Sequence, residues 1–179
     1  MTTTTTRRRA LAAATLLALA GPALAQDAWP TKPVRMIVPF APGGSTDVVA
    51  RMVGQRLSAL WGQPVVIENR AGAGGNVGAD VVAKAPGDGY TLLMASGSVT
   101  INPSLYKRMP FDTKKDLLPI TNVAQGPMLV VVQDGSPHKS LKDLIAAAKA
   151  KPGSINFASA GVGSQVHLAA ENFADAAGI

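Results

Sequence analysis

The chain has 179 residues, with 17 Lys and Arg against 11 Asp and Glu, a formal net charge of +6 and no cysteine. The absence of Cys excludes a disulfide scaffold, a Cys-ligated zinc site, an iron–sulfur cluster and a thiol nucleophile, and two His residues give no basis for a multi-histidine metal site. A hydrophobic fraction of 47% against 16% charged excludes global disorder, and the length suits one domain or a small domain with an appendage.

The basic excess raises a nucleic-acid reading, so the position of the charge matters. Arg7, Arg8 and Arg9 precede an uncharged Ala- and Leu-rich run, Ala10 to Ala20, which Gly21-Pro22 breaks before Ala23-Leu24-Ala25. A basic n-region, a short apolar h-region and an A-x-A site read as a secretory signal peptide, residues 1–25, cleaved after Ala25. The run is shorter than the roughly 20 residues of a bilayer span; an uncleaved anchor is the alternative, and either Sec or twin-arginine export suits the arginines. Removing this leader leaves 154 residues with 14 basic and 11 acidic side chains, net +3. Those charges are scattered. With two Trp, two Tyr and four Phe, stacking platforms for single strands are scarce. Nucleic acid is therefore not expected as a partner, and a mildly basic exported protein reads better as a binder of small anions.

Val34 to Phe40 predicts a buried strand, broken by Ala41-Pro42-Gly43-Gly44-Ser45-Thr46-Asp47. Val48, Val49, Met52, Val53, Leu57 and Leu60 then recur at helical spacing, with Ser45 or Thr46 as the expected cap and Asp47 in the first turn. The unit repeats. Gln63 to Glu68 predicts a strand, Asn69 to Asn76 a Gly-rich loop, Val77 to Ala85 a helix, and Tyr90 to Met94 a third strand running into Ala95-Ser96-Gly97-Ser98. Such alternation implies an α/β fold with a mainly parallel sheet and helices on both faces. Asn102 to Gln125, with three prolines, reads as irregular; Met128 to Val132 reads as a strand, Ser140 to Lys149 as a helix and Ile155 to Ala158 as a strand. Ser159-Ala160-Gly161-Val162-Gly163-Ser164 is another Gly-rich turn, and Gln165 onward is helical, with Gly178 as its C-cap. With no strand after that helix, the chain reads as truncated.

Three turns share one design: a strand ends, glycines follow and a helix starts. Backbone N–H groups at a helix N-terminus are unsatisfied and carry partial positive charge, and glycine lets that backbone approach a ligand. Pro42 to Asp47, Asn69 to Asn76 and Ser159 to Ser164 are thus candidate anion cradles, with tight packing of helix on strand as the alternative at each. Together they favour a carboxylate ligand at the carboxyl ends of the strands. A dinucleotide site fits poorly: Gly72 to Gly78 spells G-x-G-x-x-x-G, and the next strand ends at Ala95-Ser96 without an acidic residue for a ribose. The chain has no G-x-S-x-G elbow. Ser164 and His167, three residues apart, are expected to stack on a helix rather than form a catalytic pair. Asp47 reads as a loop-orienting acceptor rather than a general base.

Several segments carry a resemblance. Trp29-Pro30-Thr31-Lys32-Pro33-Val34-Arg35 and Val38 to Asp47, then Glu68 to Gly75, Asn102-Pro103-Ser104-Leu105-Tyr106, Pro110-Phe111-Asp112, Ala158 to Ser164 and His167-Leu168 together resemble the tripartite tricarboxylate transporter substrate-binding proteins, the Bug or TctC family. The resemblance implies a two-lobed, type II periplasmic-binding-protein-like receptor that closes on a ligand, usually a carboxylate, and delivers it to membrane permease subunits. It implies no enzyme activity and no cofactor or metal, a periplasmic location, and a monomer at full length. By carry-over, Pro42, Gly43, Gly44, Ser45, Asp47, Asn69, Arg70, Gly72, Gly74, Gly75 and Ser96 would serve the ligand from lobe one. Ser159, Gly161, Gly163, Ser164 and His167 would serve it from lobe two. The lobes would divide as 26–126, lacking a return segment, and 127–179, cut short. Apolar edges left open by that cut would make this chain alone poorly soluble or a weak binder. A receptor with a signalling role and a secreted α/β enzyme are the alternatives.

Overall fold

The computed structural model describes residues 29–179; the expected signal peptide lies outside the described residues. The fold lies within the compact unit Lys32–Ile179. Its centre is a three-stranded parallel sheet in the order β2-β1-β3, built from β1 (Val34–Val38), β2 (Val65–Asn69) and β3 (Thr91–Leu93). β1 pairs with β2 from Val34↔Val65 to Val38↔Asn69 and with β3 from Arg35↔Thr91 to Ile37↔Leu93. A central parallel strand is covered on both faces and needs a near-continuous apolar run. Accordingly Val34, Met36, Ile37 and Val38 are all buried.

Alternation along β1 sorts these side chains. Met36 and Val38 pack with Ala50 and Met94, on the face covered by α1 (Ser45–Trp61). Ile37 points to the other face, towards α2 (Asn76–Ala83). Two glycines set these distances. A Cβ on Gly54 of α1 would lie 3.0 Å from Ile67 Cδ1, and one on Gly78 of α2 would lie 2.7 Å from Pro39 Cβ. α1 ends at Gly62, whose φ of 63° is left-handed.

α1 starts differently from the sequence expectation. Its N-cap is Gly44, with no side-chain cap, and Ser45 and Thr46 fall inside the helix. Asp47 instead reaches back to accept the Gly43 N–H at 2.9 Å. A further helix, α3 (Ser98–Leu105), begins before the expected irregular stretch and runs into it, with Pro103 inside it. Pro103 has no N–H for the Val99 carbonyl, and the Thr113 hydroxyl donates to that oxygen at 3.5 Å.

The expected strands at 128–132 and 155–158 do not form. A strand exists only as half of a ladder, and neither segment has a ladder partner among the described residues. Leu129 and Val131 stay largely exposed, at 77% and 81%. The remaining helices match expectation. α4 (Leu141–Ala150) carries a full capping box between Ser140 and Asp143. α5 (Gln165–Ala177) is capped by Ser164 and closed by Gly178 at φ 65°.

Candidate functional site

The parallel sheet points the carboxyl ends of β1, β2 and β3 at one edge, where ligands of open α/β sheets bind. The loops leaving those ends meet the 159–164 turn there. Between them lies a cavity of about 220 Å³, lined by Pro39, Phe40 and Ala41, by Ala71 to Gly75, by Tyr106, and by Ala160, Gly161 and Val162.

The loop after β2 is the most constrained part. Gly72, Ala73, Gly74 and Gly75 have φ values of 141°, 47°, 62° and 101°, a run that glycine alone enters cheaply. A Cβ on Gly74 would come within 2.9 Å of the Gly163 carbonyl carbon, and one on Gly163 within 2.9 Å of Tyr106 Oη. Backbone thus meets backbone across the site, with the Tyr106 hydroxyl donating to the Val162 carbonyl at 3.3 Å. On α3, the Asn102 side-chain amide donates to Gly74 O at 3.0 Å and to Asn76 Oδ1 at 2.9 Å. Ser96 and Ser98 face each other with oxygens 2.8 Å apart.

A polar clamp holds the loop after β1 to the loop after β2. Asp47, 2% exposed, accepts a forked pair of bonds from Arg51 at 2.9 and 3.0 Å, one from Gly43 N–H and one from Asn69 Nδ2 at 2.9 Å. Asn69 Nδ2 also donates to Phe40 O at 3.0 Å. Four bonds to the ionised form, the Arg51 pair foremost, hold the Asp47 carboxyl well below its ordinary range. Asp47 is therefore an orienting anchor, its charge paired with Arg51, and it is not among the residues that line the cavity.

The expected residues divide accordingly. Gly72, Gly74, Gly75 and Gly161 line the cavity. Gly163 and His167 line a neighbouring cavity of about 250 Å³ with Leu105, Tyr106, Val162 and Leu168. Pro42, Gly43, Gly44 and Ser45 are exposed at the start of α1, beside the cavity wall. Asn69 belongs to the clamp. The Arg70 guanidinium lies 3.4 Å from Glu68, which Arg35 holds at 2.6 Å, so Arg70 is engaged at the surface. Ser96 pairs with Ser98, and Ser159 Oγ accepts the Gly161 N–H at 3.3 Å. Ser164 Oγ accepts the backbone N–H of His167 at 3.2 Å, while the imidazole Nε2 lies 3.5 Å from Glu171, so the two side chains are not arranged as nucleophile and base. Among the described residues no group of three His, Asp or Glu could hold a metal.

Sequence reasoning missed Pro39, Phe40, Tyr106, Arg51, Ser98 and Asn102. Tyr106 and Asn102 sit in the quoted Asn102-Pro103-Ser104-Leu105-Tyr106 segment, so a signal existed without a role attached to it.

Comparison with known proteins supplies the family. BugT of Bordetella pertussis is 46% identical over 149 residues, which cover 82% of this chain and 46% of that protein. An R. palustris protein, Rpa4515, solved with adipate is 38% identical with a TM-score of 0.80, covering 84% of this chain and 51% of the other. MatC from Rhodopseudomonas palustris, solved with bound malate, is 31% identical with a TM-score of 0.73, over 84% and 52%. The chain spans about half the length of the curated relatives it matches, and its α/β fold is that of periplasmic binding proteins. The family model described as "Tripartite tricarboxylate transporter family receptor" matches residues 49–179, so the chain belongs to the TctC family of tripartite tricarboxylate transporter receptors.

Proposed function

We propose that this chain forms the ligand-capturing part of an exported solute receptor for small organic carboxylates, which acts without catalysis and hands its cargo to membrane permease subunits. The observation that carries this reading is the cavity between the Gly72–Gly75 loop and the Ala160–Val162 turn, in a chain similar to proteins solved with adipate and malate. Its walls offer backbone, hydroxyl and small apolar surface. Neutral N–H groups, hydroxyls and ordered water hold a carboxylate without a buried counter-charge. The start of α1, where Gly44 is the N-cap and no side chain caps the helix, adds the positive end of a helix dipole next to the cavity wall.

In this reading Gly72, Gly74, Gly75 and Gly161 touch the ligand, and Pro42 to Ser45, Ser96, Ser159, Gly163, Ser164 and His167 border it. Asp47, Asn69 and Arg70 support the loops. Residues 1–25 are the leader, 26–126 the first lobe and 127–179 the start of the second, and the receptor works in the periplasm as a monomer. Thermal unfolding of the chain with succinate, malate, adipate and citrate tests the reading, with the matching diamides as neutral controls. A true ligand at a hundredfold excess over Kd stabilises by about 2.7 kcal/mol. Stabilisation by no acid, or equal stabilisation by acid and diamide, would overturn it.

A further inference from the structure

We propose that Asn102 is a positioning residue that holds the ligand-facing Gly72–Asn76 loop in one conformation by binding two of its acceptor atoms. The proposal rests on the reading of this cavity as a carboxylate site. Asn102 sits in α3, away from the loop in sequence, and is completely buried at 0% exposure. Asn is a poor residue for a helix interior, and a buried carboxamide is costly unless bonded. Its position therefore needs a reason other than packing.

The bonding pattern supplies one. Gly74 O is a backbone acceptor, so the amide edge facing it must be Nδ2, which fixes the side chain's orientation. The two Nδ2 hydrogens go to Gly74 O and to Asn76 Oδ1. Both partners are acceptors within the Gly72–Asn76 loop. Asn76 is itself only 6% exposed, so this carboxamide pair is shielded from water. The Gly74 carbonyl, which would repel a carboxylate, is drawn towards α3, although Gly74 itself lines the cavity. Meanwhile Asn102 Oδ1 is buried with no partner among the described residues. An unpaired buried acceptor is a cost, tolerated here because the donor half of the same amide is what the loop requires. Ala73, a non-glycine residue at φ 47°, makes the loop strained, and a strained loop needs such a tie to stay in one conformation.

The test uses Asn102→Asp, which keeps the shape and replaces the donor edge by an acceptor, and Asn102→Ser, which is small and retains one donor. Amide hydrogen exchange of the chain without ligand is compared with adipate titration. The expected result for Asn102→Asp is exchange faster by about tenfold over residues 72–77, the order of one lost buried hydrogen bond. Exchange in β1 stays unchanged and adipate affinity falls by a similar factor; Asn102→Ser lies between. Exchange at 72–77 that stays at the wild-type rate in a folded variant overturns the proposal. So does a rise that is equal in β1, which marks general destabilisation. Should Asn102→Asp fail to fold, the same two readouts on Asn102→Ser decide. A wild-type chain that binds neither adipate nor malate removes the carboxylate reading alone, while the exchange comparison still decides whether Asn102 holds the loop.

Discussion

Substituting alanine at Gly74 tests whether the two walls of the cavity truly meet. Gly74 has φ 62°, and a Cβ there would lie 2.9 Å from the Gly163 carbonyl carbon, 3.0 Å from its oxygen and 3.1 Å from Val162 O. Two costs follow. The left-handed backbone costs a non-glycine residue about 1 kcal/mol, and the overlap with backbone adds roughly 1–3 kcal/mol, because backbone yields less readily than a flexible side chain. Gly153 is the control: its φ is 73° and an added Cβ meets nothing within 4 Å, so Gly153→Ala carries the first cost alone. In urea unfolding, Gly74→Ala should lose about 2–4 kcal/mol and Gly153→Ala about 1 kcal/mol, with equal m-values. If the 161–163 turn moves aside instead, the second cost appears as weaker dicarboxylate binding in Gly74→Ala only. Identical behaviour of the two variants in both assays would refute the contact.

Three further predictions concern the scaffold. The folded state holds the Asp47 carboxyl below its ordinary 3.8, chiefly through Arg51, so Asp47 contributes stability that is present above about pH 4 and lost as pH falls through the folded value. Asp47→Asn should be less stable than wild type at pH 7, and that difference should shrink as the pH is lowered below 4 in acid unfolding followed by circular dichroism. A constant difference would deny Asp47 this role. Ile37 is 0% exposed on the central strand, so Ile37→Ala should cost about 2–5 kcal/mol in denaturant unfolding. Leu129→Ala, at a position 77% exposed, should stay within about 0.5 kcal/mol.

The sheet and its crossover helices were legible because each apolar run stops at a Gly-rich turn and the period changes from 2 to 3.6. β1, β2, β3, α1 and α2 follow that signal. α3 was hidden because Pro103 argues against a helix, and the group that covers the freed Val99 carbonyl, Thr113, lies beyond the helix in sequence. The apolar run at 128–132 has every local feature of a strand, yet pairing is a property of two segments and a single segment cannot report it. The same division applies to the site. The glycines of 72–75 announced a loop of special backbone, and Asp47 was readable as a loop anchor. Its bond to Asn69 spans 22 residues and that of Asn102 to Gly74 spans 28. Neither follows from local pattern, because a carboxamide's partner is chosen by the packing of α1 and α3.

The central claim is that a carboxylate sits between the Gly72–Gly75 loop and the 160–163 turn. Amide ¹⁵N–¹H shifts of the chain followed during titration with adipate test it most directly. The account predicts saturable shifts concentrated at Gly72, Gly74, Gly75, Gly161 and Gly163, with adipamide producing none. Shifts confined to other parts of the surface, or an unchanged spectrum at millimolar adipate, would contradict it.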